Sequence, residues 1–231
     1  MFNTCDVIIA LILLSCLLIG YKRGLVRSLY SIGRLALSLY VDYKIYPVVS
    51  RALRGSPLYG WLKGHIVTAM RLEDLTREMT AKGQAALLNQ IPQSAYILRH
   101  LQANNNPEAY EALDASGLAD YIGGYFANMA VNLIAFLLVL LLASALIKIA
   151  FQLLDRVVSI PPLNFLNKTG GTIFGMVQGV FFVWAGLCIL TFFFLQPQNE
   201  AIFLQIQTGR LARIFYENNP LMKALVSVIP G

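Results

Sequence analysis

Residues 169–199, TGGTIFGMVQGVFFVWAGLCILTFFFLQPQN, decide the fold, because they form 31 consecutive residues without Asp, Glu, Lys or Arg. A second stretch, YIGGYFANMAVNLIAFLLVLLLASALI at residues 121–147, has 27 more. A helix needs roughly 20 mainly apolar residues to cross the hydrocarbon core of a bilayer. Both stretches are therefore predicted to span a membrane. They form a hairpin over residues 121–197, divided near Pro161-Pro162 and ended by Pro197.

The composition of the whole chain supports a membrane protein. Of its 231 residues, 57% are hydrophobic and 13% are charged. Soluble domains carry about 25% charged residues, so this chain lacks the charges for a soluble shell. The net charge of +6 comes from basic residues that flank the apolar stretches, where they contact lipid headgroups. No basic cluster is interleaved with aromatic residues, so nucleic acid is not an expected partner.

The amino-terminal part of the chain predicts another hairpin, over residues 1–47. An apolar helix covers residues 4–20, and after a linker of four residues a second helix covers residues 25–46. The second helix has one apolar and one polar face and carries Arg34 in its middle. It either spans the membrane with Arg34 turned inward or lies in the interface. Spanning is favoured, and Pro47 is expected to end the helix.

The remaining segments are predicted to be helical and to lie outside the bilayer. Residues 48–120 have mixed polarity, with seven basic and seven acidic residues. Asn106-Pro107-Glu108 is typical of a helix start, because Asn caps, Pro fits the first helical position and Glu suits the positive helix end. Residues 198–231 form an amphipathic tail. The predicted fold is all-α: four transmembrane helices in two hairpins with a helical extramembrane insertion.

The basic residues of the two short linkers indicate an orientation. Positively charged loops stay in the cytoplasm. Each linker is flanked by three basic residues: Lys22, Arg23 and Arg27, and Lys148, Arg156 and Lys168. Both termini and the middle subdomain are therefore expected outside the cytoplasm. Arg23 is interpreted as a residue that sets topology and binds lipid headgroups.

Three stretches together resemble a known family. They are Asp6 with the apolar run into GYKRGLVR (20–27), PLNFLNKTGG (162–171) and LARIFYENNPL (211–221). This combination resembles the CvpA family, the colicin V production proteins of bacterial inner membranes. The resemblance covers both hairpins but not the middle segment. It implies a four-helix protein of the bacterial cytoplasmic membrane, linked to toxin production or export and to envelope homeostasis.

Glycines recur at spacings of four residues in two of the predicted helices. Gly171, Gly175 and Gly179 share one helix face, and Gly20 and Gly24 repeat the spacing at the end of the first helix. Small residues let a second helix backbone approach closely, and van der Waals packing drives helix association in lipid. The favoured interpretation is packing between the hairpins of one chain. The alternative is a homo-oligomer interface.

Ionisable residues within membrane helices are costly and by default mark functional sites. Arg34 is the strongest candidate, because it lies in mid-helix, and Asp6 and Asp42 are further ones. The structural interpretation places Asp6 at the interface and gives Arg34 a structural partner. The functional interpretation has Arg34 lining a polar path.

Motifs for soluble-type catalysis are absent from the sequence. There is no HExxH, no metal-binding Cys/His spacing and no GxSxG, so no catalytic residue, metal or cofactor is expected. The leading hypothesis is a non-enzymatic scaffold or regulator that acts in the bilayer on an unidentified membrane or envelope protein. The alternative is a small oligomeric channel or transporter.

Overall fold

The computed structural model describes residues 3–73, 91, 93–154, 164–195 and 199–227, and these residues form helices and turns without a strand. The predicted breaks at Pro161-Pro162 and Pro197 lie outside the described residues. The described helices, numbered in chain order, are α1 (Thr4–Arg54), α2 (Pro57–Ala69), α3 (Ala95–Ala103), α4 (Pro107–Ala112), α5 (Leu118–Leu154), α6 (Asn164–Phe193), α7 (Glu200–Thr208), α8 (Arg210–Glu217) and α9 (Pro220–Ser227).

Helix α1 consists of two halves joined at Gly24, whose φ of 79° and ψ of 171° are not helical. Cys16 of the first half and Ser31 of the second line the same small cavity beside Gly175 of α6. A straight helix would place those two residues roughly 22 Å apart. The chain therefore turns back at Gly24, within the linker that the sequence predicts. Glycine is suited to this position because a positive φ strains other residues.

Three stretches within the described helices are long and apolar enough to cross a membrane: Thr4–Leu25, Leu118–Ala150 and Asn167–Phe193. The all-α fold is confirmed for the described residues, and three of the four predicted spans are among these stretches. The second half of α1 is not among them, since its charged residues lower its hydropathy. A fourth span there remains a prediction.

The predicted end of a helix at Pro47 is wrong, because α1 continues through Pro47 to Arg54. Proline removes one helical hydrogen bond, but helices packed against others in membranes tolerate the loss. The part of α1 beyond Pro47 is held against α5, where the Ser50 hydroxyl hydrogen-bonds the Asn132 side chain.

The molecule has two distinct ends. At one, Gly24 lies against Asn167 near the start of α6, and we call this the linker end. At the other, Asp6 contacts the start of α8, and the Tyr59 hydroxyl of α2 lies 3.5 Å from the Gly124 carbonyl oxygen of α5. We call this the terminal end.

Burial divides α5 into two parts. Residues 121–133 are buried on every side. They are enclosed by the short helices of the terminal end, as where the Tyr121 hydroxyl donates to the Leu101 carbonyl at 2.6 Å. Farther along, α5 exposes large apolar side chains to the surroundings: Leu138, Leu141, Leu142, Leu146 and Ile149. Lipid contact is therefore concentrated in the second part, a division that hydropathy alone does not reveal.

Helix α4 of the middle segment begins at the residues where the sequence predicts a helix start. The Asn106 side chain accepts a hydrogen bond from the Ala109 amide at 2.9 Å, and Pro107 occupies the first position of α4. The division of the chain at residues 47, 120 and 197 remains a prediction.

Candidate functional site

The first half of α1 packs closely against α6. A Cβ atom built on Gly20 would lie 2.8 Å from Gly175 Cα, and one built on Gly171 would lie 2.8 Å from Gly24 Cα. Real Cβ contacts are longer, and the obstructing atoms belong to the backbone, so no side chain can rotate away. Only glycine allows this approach.

All five predicted glycines meet in this contact. A Cβ on Gly179 would touch Cys16 Cβ at 3.0 Å, and one on Gly24 would meet the Asn167 side chain at 2.7 Å. We call the set Gly20, Gly24, Gly171, Gly175 and Gly179 the glycine contact. Its surfaces cover each other within one chain, so a homo-oligomer would use another surface. Self-association as such remains a prediction.

Asp6 supplies the cap of a helix far away in the sequence. Its side chain is fully buried; Oδ2 accepts a hydrogen bond from the Arg210 amide at 2.9 Å and Oδ1 one from the Ala212 amide at 2.8 Å. Gly209 precedes α8 and has no side chain to cap it. The first amides of a helix lack partners within the helix and attract negative charge. Asp6 therefore satisfies the amino terminus of α8.

The neighbourhood of Asp6 is built around this role. The Asn3 side chain accepts from the Asp6 amide at 3.1 Å, and its own amide group contacts the Gln205 carbonyl and lies 3.4 Å from Thr208 Oγ1. A Cβ on Gly209 would lie 2.7 Å from Asp6 Oδ1. The start of α1 thus fits closely against the turn between α7 and α8.

Asn219 connects α9, the last described helix, to α6. Its Oδ1 accepts from the amides of Leu221 at 3.0 Å and Met222 at 3.2 Å, which caps α9. Its Nδ2 donates to the Trp184 carbonyl oxygen at 2.9 Å. Because Asn219 is 1% exposed, this link is shielded from water.

Two further buried amides complete these connections. The Gln93 side chain donates to the Thr191 carbonyl at 3.1 Å and accepts from the Tyr216 hydroxyl at 3.3 Å. Burial raises the pKa of the Tyr216 hydroxyl. Asn132 donates to the Leu225 carbonyl at 3.0 Å. We call Asp6, Gln93, Asn132 and Asn219 the polar seam. It joins α1, α5 and α6 to the C-terminal helices α8 and α9.

The two predicted arginines lie outside the polar seam. Arg34 is half-buried, and its guanidinium carbon lies 5.2 Å from the centre of the Tyr30 ring. Arg23 is exposed and borders a small cavity at the linker end together with Ser28. The structure therefore does not bring Asp6, Arg23 and Arg34 together into one site.

Asp42 is the most unusual charged residue of the second half of α1. It is 1% exposed, and its Oδ1 has no hydrogen-bond partner among the described residues. It lines a cavity of about 530 Å³ between α1, α5 and α9.

Sequence reasoning missed most of the polar seam. Asn132 carried a signal, since it is one of two asparagines, with Asn128, among apolar residues in the charge-free stretch. Asn219 precedes Pro220 in the pattern that identified Asn106 and Pro107. The sequence around Gln93 gives no such signal, because the hydrogen-bond partners of Gln93 come from α6 and α8. In the described part of the chain, no three His, Cys, Asp or Glu residues are grouped to hold a metal.

Most of the residues that make the contacts described above lie within segments that a family model recognises. The model described as "Colicin V production protein" matches residues 5–79 and 113–220, which include both sides of the glycine contact and three of the four polar-seam residues. No curated protein and no solved structure matches the chain. With a match over most of its length and long apolar helices to cross the bilayer, the chain belongs to the colicin V production (CvpA) family and is a multi-pass membrane protein.

Proposed function

We propose that this protein is a non-enzymatic scaffold or regulator in the bacterial cytoplasmic membrane, where it supports production or export of a colicin V-type toxin and envelope homeostasis. One observation carries the proposal. The buried polar side chains of the terminal end, Asp6 and Asn219 among them, hold α8 and α9 in place. Such a fixed surface suits partner binding, since its shape is set before the partner arrives.

The exposed side of α8 is the part of this surface that a partner would contact. Arg210 and Arg213 are exposed, and Ile214, which follows Arg213 and lies one helical turn beyond Arg210, is 59% exposed. Arginine flanking an apolar side chain is a favourable composition for an interface. By the positive-inside rule the terminal end faces away from the cytoplasm, so the proposed partner is a membrane or envelope protein.

The test is cross-linking and co-purification from native membranes. The unaltered protein is expected to retain a defined partner, and Ile214→Asp is expected to lose it while the protein stays folded. Ile202→Asp, at a residue of α7 that is 39% exposed, is the matched control. A protein that is recovered alone, and whose deletion leaves the envelope and toxin export unchanged, would refute the proposal.

A channel or transporter is the second candidate. It is favoured by the buried Asp42 carboxylate and the half-buried Arg34, both on the polar second half of α1. A conducting path requires an oligomer, because four helices from one chain enclose little water. Flux into liposomes that Arg34→Leu abolishes and Arg213→Leu preserves would support this candidate. Absence of flux for ions and small solutes would refute the channel and leave the scaffold as the proposed function.

A further inference from the structure

The cavity beside Asp42 has the size and walls of a ligand site. Its volume is about 530 Å³, and small-molecule sites measure about 300–1,000 Å³. It lies where the second half of α1 meets α5 and α9. Four large apolar side chains form much of its wall: Leu39, Phe136, Leu221 and Leu225. Such walls suit a hydrocarbon chain.

A buried acceptor without a partner borders this apolar space, and a nearby backbone carbonyl lacks its helical donor. Asp42 Oδ1 has no partner in the described part of the chain, and a buried carboxylate is costly unless a donor pairs with it. Pro47 has no amide hydrogen, so it cannot donate to the Tyr43 carbonyl one helical turn earlier. Both Tyr43 and Pro47 line the cavity. The site therefore favours a ligand with N–H donors.

A positively charged side chain also lines the cavity that Asp42 borders. Lys44 lines the cavity and is exposed, and its Nζ lies 5.7 Å from the centre of the Tyr43 ring. The Asp42 carboxylate and the Lys44 ammonium, two residues apart along α1, therefore offer a buried negative and an exposed positive contact at different points of the cavity wall. This pair is complementary to a zwitterion that carries an ammonium and a phosphate.

The height of the site matches a lipid headgroup. Asp42 lies 18 residues beyond Gly24, or about 27 Å along a helix, and the hydrocarbon core is about 30 Å thick. Tyr40 and Tyr43 are 62% and 68% exposed at the same level. Exposed tyrosines concentrate at the boundary between hydrocarbon and headgroups. With the second half of α1 spanning the bilayer as predicted and the linker end at one boundary, Asp42 lies near the other.

We propose that this cavity binds one aminophospholipid, with its ammonium group on Asp42, its phosphate at Lys44 and an acyl chain along the apolar wall. A primary ammonium brings three N–H donors. An anionic lipid without an amine would put negative charge against Asp42. A divalent cation would need several oxygen ligands, and the described residues form no three-residue ligand cluster. This site is independent of whether the protein is a scaffold or a channel.

The test compares two lipids of equal charge. The full-length protein is delipidated in detergent and titrated with dihexanoyl phosphatidylethanolamine and dihexanoyl phosphatidylcholine by calorimetry. The choline headgroup keeps the positive charge but has no N–H donor. Ethanolamine lipid is expected to bind at least about tenfold more tightly, which is the effect of one charge-assisted hydrogen bond.

Variants separate the carboxylate from the cavity. Asp42→Asn is expected to reduce ethanolamine-lipid binding to the choline level, and Glu111→Gln, at an exposed carboxylate of α4, to leave it unchanged. Ala224→Trp, at an exposed residue of the cavity wall, is expected to block both lipids while circular dichroism stays unchanged.

Three results would overturn the proposal. The first is equal binding of the two lipids to the unaltered protein. The second is a preference for ethanolamine lipid that survives Asp42→Asn. The third is phosphoethanolamine without acyl chains binding as tightly as the lipid, because the apolar wall would then have no role.

Discussion

The glycine contact and the polar seam hold the same molecule together by opposite means. At the glycine contact, Gly20 and Gly175 bring two backbones together and leave no room for a side chain. At the polar seam, Asp6 and Asn219 extend side chains to the backbone of another element. One region depends on the absence of side chains and the other on particular side-chain atoms.

The difference follows from the surroundings and the lengths of the helices. Lipid tails are as apolar as leucine, so long helices associate by close packing. Helices α7–α9 have nine, eight and eight residues, and isolated helices shorter than about 12 residues are marginal in water. Such short helices need partners for their first amides, and the polar seam supplies them for α8 through Asp6 and for α9 through Asn219. Disruption of the glycine contact should therefore affect the whole molecule, and disruption of the seam mainly α8 and α9.

The largest effect is expected from Gly175→Ala. The new methyl group would meet the Cys16 carbonyl oxygen and lie 3.0 Å from Gly20 Cα, so the two helices must separate. Overpacking costs about 1–3 kcal/mol of the free energy of unfolding. The measurement is reversible unfolding in detergent.

The matched control for this change is Gly186→Ala on the same helix. A Cβ at Gly186 has nothing within 4 Å. Alanine there should leave the free energy of unfolding unchanged or raise it by up to about 1 kcal/mol. Equal losses for the two variants would contradict the glycine contact as a close-packed interface.

The next effect is expected from Asp6→Asn. The substitution removes the charge and one of two acceptor oxygens, so one of the amides of Arg210 and Ala212 loses its partner. A buried unsatisfied donor costs about 1–3 kcal/mol. Hydrogen exchange should accelerate in α8 and much less in α6.

Glu200→Gln is the control for the loss of negative charge near the C-terminal helices. Glu200 lies in the first turn of α7 and is exposed. Its interaction with the helix dipole is worth less than about 1 kcal/mol. If α8 exchanges at the same rate in Asp6→Asn and in the unaltered protein, Asp6 is not its cap.

A smaller and more local effect is expected from Asn219→Ala, which removes the cap of α9 and its link to the Trp184 carbonyl. Loss of an asparagine cap costs about 1 kcal/mol. Asn218→Ala is the neighbouring control, since Asn218 is exposed and bonds within its own turn, to Ile214. Hydrogen exchange of α9 should increase only in the first variant, and the same increase in both would indicate a general loosening.

The smallest effect on stability is expected from Arg34→Leu. Arg34 belongs to neither region, and stacking on Tyr30 is worth about 0.5–1 kcal/mol at an accessible site. Unfolding in detergent should change by less than about 1 kcal/mol. A loss greater than that of Asp6→Asn would make Arg34 part of the structural framework.

The long helices could be predicted because hydrophobic length is a local property of the sequence. Helices α5 and α6 follow from their charge-free stretches, and α4 follows from Asn106 and Pro107, whose effects reach only a few residues. The glycine spacing predicted a close approach without identifying the partner. Each of these signals is contained within one segment of the chain.

The polar seam could not be predicted in the same way. Asp6 binds backbone amides of α8, and every residue except proline has such an amide, so Arg210 and Ala212 carry no mark of their partner. The prediction that Pro47 ends a helix failed for a related reason. Its effect as a helix breaker depends on whether neighbouring elements hold the chain, and α5 holds Ser50 just beyond it.

The pairing of Asp6 with α8 also has a consequence for synthesis. Asp6 leaves the ribosome near the beginning of translation, whereas its donor on Arg210 follows 204 residues later. During most of translation the nascent chain therefore carries this carboxylate at the edge of the bilayer without its final partner. A chain stalled before α8 would leave this carboxylate without the amides of Arg210 and Ala212, with the Asn3 amide as a local partner. The contacts of the first helix are thus complete only after the last helices have been made.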